Sequence, residues 1–404
     1  MKKGDLIVAR QGRNEAIGVG AIDQEYRFEP NKKDFKHVVG VNWDEDFTPR
    51  KASNQFGMQT VHEVIHLTYE EILQASEPEG TNGPVVGDPA PDVRAVSSLI
   101  SEYRNIILYG PPGTGKTYLV REAALYWLAR ANKISVTDAG KHYLSFVQFH
   151  PSYGYEDFIR GLTASTDSEG RLHYLYRDGL FVETCLKAQL AGNKRQFVLI
   201  IDEINRGDIP RIFGELMCLL EYRERKYQIN LQYPDKDGNR AFYVPENLHV
   251  IGTMNTADRS IALLDTALRR RFQLHEILPD SGKITSLIQV GSSDEKCEPR
   301  TILEIINKNI RDQGLREKQI GHSYFMQADG TAIDDLGVLM GRFNGQILPL
   351  LQEYFFDDME ALNNVVGSKF VNLKTGAIVR HTDQDAFWEA LKALLKENPK
   401  GSPA

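Results

Sequence analysis

The chain has 404 residues, 41% of them hydrophobic and 25% charged, which excludes collagen-like, disulfide-dense and wholly disordered classes and leaves room for roughly two to four domains. Lysine plus arginine, 48, against aspartate plus glutamate, 55, gives a formal net charge of −7, the wrong sign for holding nucleic acid through bulk charge. Cysteines at 185, 218 and 297 are too few and too far apart for a disulfide framework or a zinc cluster, and no apolar run of about 18 residues is present to span a bilayer; the expected setting is the reducing cytoplasm, away from membranes.

Residues 1–74 read as a small β-rich module, with strands expected at Leu6–Ala9, Ala16–Ile22 and Val38–Trp43. Residues 75–92 turn to Glu, Gly, Asn and Ser with Pro78, Pro84, Pro89 and Pro91, the composition of a linker. Over 93–279 short apolar strands such as Asn105–Tyr109 and Phe197–Ile201 alternate with helical stretches. That pattern predicts an α/β core with buried parallel strands. From 280 to 404 the apolar spacing becomes helical, as in Ile302-Leu303-Glu304-Ile305-Ile306, and predicts a helical lid.

One motif in the N-terminal module is a decoy. His62-Glu63-Val64-Ile65-His66 has the H-E-x-x-H spacing of a zinc protease, which requires both histidines on one helical face. The β-branched flanks favour a strand, where four residues separate the rings by about 13 Å, too far for one metal ion.

The chemistry concentrates in the core. Gly110-Pro111-Pro112-Gly113-Thr114-Gly115-Lys116-Thr117 fits G-x-x-x-x-G-K-[ST] between a strand and a helix expected over Tyr118–Ala131. Such glycines let the backbone curl so that N–H groups face phosphate oxygens, while Lys116 neutralises β/γ charge and Thr117 offers a hydroxyl to Mg2+. The strand Phe197–Ile201 runs into Asp202-Glu203, which puts two carboxylates at its carboxyl tip. Asp202 is expected to hold Mg2+ through water, and Glu203 to orient or deprotonate the attacking water. A third strand, His249–Thr253, leads to Asn255, an amide able to bond both that water and the γ-phosphate. The Ala/Leu-rich stretch after it ends in Arg269-Arg270-Arg271. These cations either complement a helix dipole or reach a neighbouring subunit's γ-phosphate as arginine fingers.

Taken in this order, the motifs resemble the AAA+ superfamily over roughly residues 93–390: a P-loop NTPase core with a C-terminal helical lid. Within it, Met254-Asn255-Thr256-Ala257-Asp258-Arg259-Ser260 is similar to the signature of the McrB family, GTP-hydrolysing motors of modified-cytosine restriction systems. Gln148–Phe158, Asp202–Gly207, Ile320–Phe325 and Ile347–Leu351 support the likeness. The resemblance implies GTP (alternatively ATP) with Mg2+, a role for Asn255 in hydrolysis, and a signature loop held by Asp258 and Arg259 against the nucleotide or a partner. It also implies a homo-hexamer in which Arg269 and Arg270 act across the subunit boundary, and a McrC-like nuclease that docks on the ring and cuts DNA carrying modified bases. This chain shows no nuclease constellation of its own. Where many AAA+ proteins carry a sensor-2 arginine after Gly-Ala, it reads Gly321-His322-Ser323, and no sensor-2 residue is assigned.

The first 73 residues resemble the C-terminal half of an EVE/YTH-like (PUA-type) module, through Lys3–Ala9, Ile17–Gly20, Tyr26 and Val41-Asn42-Trp43. That likeness implies base flipping into an aromatic pocket, with Trp43 and Tyr26, beside Phe28, as the nucleic-acid-binding candidates. Two rival functions fit the core: a MoxR-type ATP-dependent remodelling chaperone with a protein client, and a passive nucleic-acid reader in which the core only assembles. Guanine preference follows from the resemblance alone, because the phosphate loop sees only phosphates.

Overall fold

The computed structural model describes residues 6–11, 15–28, 37–43, 50–51, 88–166, 170–235, 238–257, 266–291, 294–356 and 358–397. The chain divides into two compact units, Met1–Val85 and Val86–Ala404. In the first, the strands Leu6–Gln11, Glu15–Phe28 and His37–Trp43 form an antiparallel sheet joined by the short strand Arg50–Lys51. Leu6 lies opposite Ala21 and Gly20 opposite Trp43, with register shifts after Ala9 and around Gln24. The H-E-x-x-H segment lies outside the described residues.

The second unit is built on five parallel strands: β1 (Asn105–Gly110), β2 (Leu144–Gln148), β3 (Phe197–Asp202), β4 (Leu248–Asn255) and β5 (Gln273–Glu276), in the spatial order β5-β1-β4-β3-β2. β3 is buried along its whole length and β4 from Leu248 to Thr253. A strand covered on both faces has no solvent side to alternate with, which is why Phe197-Val198-Leu199-Ile200-Ile201 is continuously apolar. Each such side chain contributes about 1.5–3 kcal/mol of burial.

Two helices frame the first turn of this sheet. α1 (Pro91–Glu102) begins at Pro91, inside the stretch expected to be linker, because a proline at the first helical turn has no N–H to lose. It buries Val93, Val96 and Ile100 at helical spacing. α2 (Lys116–Asn132), almost one turn longer than the stretch expected, packs Leu119, Val120, Ala123, Ala124 and Leu128 inward. Beyond β2, a hairpin of Arg160–Thr166 and Leu172–Asp178 leaves Leu172 and Tyr174 exposed.

The lid has its own core. Helices Pro299–Asp312, Leu336–Arg342, Leu348–Tyr354, Met359–Val366 and Gln384–Glu397 bury a cluster that includes Ile306, Leu339, Leu351 and Leu391, with Phe343 and Phe370 rings 4.8 Å apart. A π-helical turn, Phe343–Ile347, joins the second helix to the third. Pro349 follows at once. A proline within a continuing helix removes an N–H and crowds the preceding turn, and the wider turn accommodates it. No described helix is long and apolar enough to cross a membrane.

Candidate active site

β1 delivers Gly110 and β4 delivers Asn255 side by side, since these two residues are partners in the parallel register, and β3 ends beside them at Asp202. The loop between β1 and α2 turns through Gly113 and Gly115 at φ 75° and 76°, left-handed values that a side chain would strain. The first N–H groups of α2 are thereby left at its start for an anion.

Lys116 is 6% exposed, and its Nζ donates to the Gly110 carbonyl at 3.0 Å, the Pro111 carbonyl at 2.8 Å and Asn255 Oδ1 at 2.7 Å. Asn255 then donates from Nδ2 to Glu203 Oε1. The amide is held at both ends, its oxygen by a cation and its nitrogen by a carboxylate, which fixes the orientation of the group. Glu203 Oε2 lies 3.5 Å from Arg206 Nε. Glu203 itself sits at φ 51°, one of two described non-glycine residues in the left-handed region, the other being Lys133. That turn at the end of β3 swings the carboxylate toward Asn255, and such backbone strain concentrates at functional positions.

Asp202 is 8% exposed, and its Oδ1 accepts from Thr117 Oγ1 at 2.7 Å and from Thr253 Oγ1 at 2.5 Å. Thr253 Oγ1 in turn accepts the Glu203 N–H at 3.1 Å. A hydroxyl and a carboxylate already within hydrogen-bond distance are the hard oxygen donors that Mg2+ takes, usually with several retained waters. The donor set fits that ion.

Sequence reasoning missed Thr253 and Asn205. Thr253 stands two residues before Asn255 on the same face of β4, so strand alternation alone could have flagged it. Asn205 donates to the Asn255 carbonyl at 3.3 Å, and nothing local announces that contact. The lid also enters the site. The Gly321 N–H donates to the Pro112 carbonyl and the Ser323 N–H to the Gly113 carbonyl, both at 2.9 Å. A Cβ on Gly321 would stand 1.8 Å from the Gly113 carbonyl carbon, so only glycine permits this approach. Between them His322 is buried, its Nδ1 accepting from the Asp280 N–H at 3.3 Å, and burial together with the Lys283 charge pushes its pKa down to about 4. His150, by contrast, is exposed and meets Tyr153 edge-on.

The structure does not bring Arg269 and Arg270 to this site. Arg269 ends the helix Thr266–Arg269 and Arg270 follows it at the opposite, amino end of the sheet, beside an open cleft of about 1220 Å³ that Tyr103, Arg104, Tyr222 and Arg223 also line. β1 alone separates the two ends by about 17 Å at the rise of an extended chain. Arg270 and Arg271 lie 3.6 and 3.7 Å from the Glu221 carboxylate. Asp258 and Arg259 fall outside the described residues, and Tyr26 and Trp43 are described through their strands only.

Comparison with known proteins accords with this geometry. Residues 105–272 match the AAA domain (dynein-related subfamily), and residues 298–363 match the McrB alpha-helical lid domain. The chain thus carries an AAA domain followed by an McrB-type helical lid. It is 38% identical over 283 residues to the type IV methyl-directed restriction enzyme EcoKMcrB subunit of Escherichia coli (strain K12), a match covering 67% of this chain and 58% of that one. It is 26% identical over 272 residues to the type II restriction enzyme BsuMI component YdiS of Bacillus subtilis (strain 168), covering 58% of this chain and 76% of the relative. The chain thus spans little more than half the length of the first of these relatives. Residues 1–65 match a domain of unknown function, DUF8426, in place of the EVE/YTH-like module expected there.

Proposed function

We propose that this McrB-like chain is the nucleotide-hydrolysing motor of a modification-dependent restriction system, that it prefers GTP, and that it drives a separate McrC-like nuclease on DNA. The observation that carries the reading is the continuous hydrogen-bonded relay from Lys116 through Asn255 to Glu203, adjoining the Thr117–Asp202–Thr253 cluster. The kinship with two restriction components supports its biological setting.

In this mechanism the loop Gly110–Gly115 and the start of α2 receive the phosphates, and Lys116 transfers its ammonium from loop carbonyls to β/γ oxygens. Thr117, and Asp202 through water, would hold Mg2+, which would supply charge neutralisation on those oxygens. Glu203 orients the attacking water and accepts its proton, and Asn255 keeps the water and the γ-phosphate in register. Because Arg269 and Arg270 stand at the far end of their own sheet, they serve a neighbouring subunit's nucleotide, which requires a closed ring, here a homo-hexamer. Asp258 and Arg259 hold the signature loop against the nucleotide or the nuclease. The N-terminal module contacts DNA through Trp43 and Tyr26, a contact that Trp43→Ala would weaken in a binding titration with modified duplex.

The deciding experiment is steady-state hydrolysis of GTP and ATP in parallel, with and without a co-expressed McrC-like nuclease. GTP preference with a rate raised by the nuclease is the expected result. ATP preference with no response to the nuclease would overturn it and favour a remodelling ATPase with a protein client.

A further inference from the structure

Arg223 is 5% exposed, and its three hydrogen bonds reach no carboxylate. Nε donates to the Leu220 carbonyl at 3.3 Å, Nη1 to the Leu248 carbonyl and Nη2 to Asn105 Oδ1. Burying a guanidinium without a counter-ion is expensive, and a well-packed apolar residue would stabilise such a position better. Burial pushes its pKa down to about 10, which still leaves a cation at neutral pH. Stability alone therefore does not account for this residue.

Its partners suggest what does. Asn105 opens β1, whose other end is Gly110, and Leu248 opens β4, whose other end is Asn255. The Asn105 amide donates twice, to the Leu220 carbonyl at 2.9 Å and to the Arg271 carbonyl at 3.0 Å. Next to Leu220, the Glu221 carboxylate faces Arg270 and Arg271. The segment 220–223 thus grips the arginine turn twice, once through its main chain by way of Asn105 and once through charge, and Arg223 ties that grip to the starts of the two strands that carry the phosphate loop and Asn255.

We propose that Arg223 and Asn105 are positioning residues that fix the Arg269–Arg271 turn to the amino ends of β1 and β4, so that Arg269 and Arg270 are presented to the neighbouring subunit in one geometry. The inference rests on the reading of those two arginines as groups that act across the subunit boundary. An arginine on a loose turn samples many positions, and a displacement of about 1 Å at a reacting group lowers turnover on the order of 100-fold.

The test uses the full chain. Asn105→Ala, Arg223→Met and Arg223→Lys subunits are mixed with wild type at rising ratios, and hydrolysis is followed together with the affinity of each variant's own site for a fluorescent GTP analogue. The expected result is unchanged analogue affinity, with mixed-assembly turnover falling well below proportion, a drop in kcat at constant KM, and an intermediate effect for Arg223→Lys, which keeps the charge but not the fork. Arg270→Ala is mixed in parallel. If Arg270→Ala lowers activity only in proportion, the boundary-crossing reading fails and this inference with it. If Arg270→Ala poisons its neighbours while the Asn105 and Arg223 variants stay proportional, this inference alone fails. Melting curves identify variants that do not fold. Should Arg223→Met and Asn105→Ala both fail to fold, Asn105→Asp decides by the same criterion, because it keeps the acceptor for Arg223 and removes the donors to Leu220 and Arg271.

Discussion

At the carboxyl ends of β1, β3 and β4 the linked polar groups are carboxylates, hydroxyls, an amide and a lysine within hydrogen-bond distance of each other, with Arg206 beside Glu203. At the amino ends they are guanidinium groups, of which Arg223 is buried on neutral acceptors and Arg270 and Arg271 face Glu221. The same sheet therefore carries carboxylates, hydroxyls and a lysine at one end and a set of guanidinium groups at the other. The carboxyl end is assembled from residues close to strand tips. The amino end is held by main-chain carbonyls and leaves Arg269 and Arg270 exposed, as the proposed role across a subunit boundary requires.

The largest expected effect falls at the carboxyl end. Glu203→Gln keeps nucleotide binding and lowers turnover by about 100- to 10,000-fold, the range for a lost general base, read as a single-turnover rate at saturating GTP. Turnover at the wild-type rate would remove Glu203 from the chemistry. Lys116→Ala acts earlier: binding weakens by about 100-fold or more, the equivalent of two to three charged hydrogen bonds, in an equilibrium titration. Gly321→Ala probes the lid contact, because its Cβ has no room beside Gly113. A melting temperature lower by the equivalent of about 2 kcal/mol is expected, and an unchanged melting curve would mean that lid and phosphate loop separate freely.

The amino end has a pH signature of its own. His249, at the start of β4, packs edge-on against Trp127 with ring centroids 4.4 Å apart, and burial, helped by the cations of Arg223 and Arg104 and opposed by a contact with the Tyr103 carbonyl, pushes its pKa down to about 4. The unfolded chain takes up this proton near pH 6.5, whereas the folded one refuses it until about 4, so stability falls as pH drops through that window. Between pH 7 and pH 5 the loss from this group is about 2 kcal/mol. His249→Gln should flatten denaturation midpoints over that interval, and equal slopes for the two proteins would contradict the burial argument. The smallest effect is expected from Thr253→Val, which removes one hydrogen bond to Asp202 and one acceptor for the Glu203 N–H, for about a tenfold loss of turnover.

The two ends also differ in how far the sequence announced them. The phosphate loop was legible because its chemistry fixes glycine and lysine spacing within eight consecutive residues, and Asp202-Glu203 because five apolar residues precede it. The α/β core and helical lid followed from periodicity in the same way. Thr253 and Asn205 were given no role, and Gly321 was quoted only within the lid motif, since what they do depends on contacts between distant segments. Arg223 is the extreme case. It lies in Glu221-Tyr222-Arg223-Glu224-Arg225-Lys226, a run whose composition reads as solvated surface, and only the fold turns one of its cations inward. Pro91 misled differently: in a proline-rich stretch it read as linker, although the first turn of a helix is where proline is best tolerated.

The left-handed backbone at Glu203 has a consequence for the evolution of the chain. A glycine there would relieve roughly 1–2 kcal/mol of backbone strain. A screen that rewards heat resistance alone should therefore drift toward Glu203→Gly at the expense of the acid, while selection for nucleotide turnover would restore it. Thermal robustness and turnover pull this one position in opposite directions.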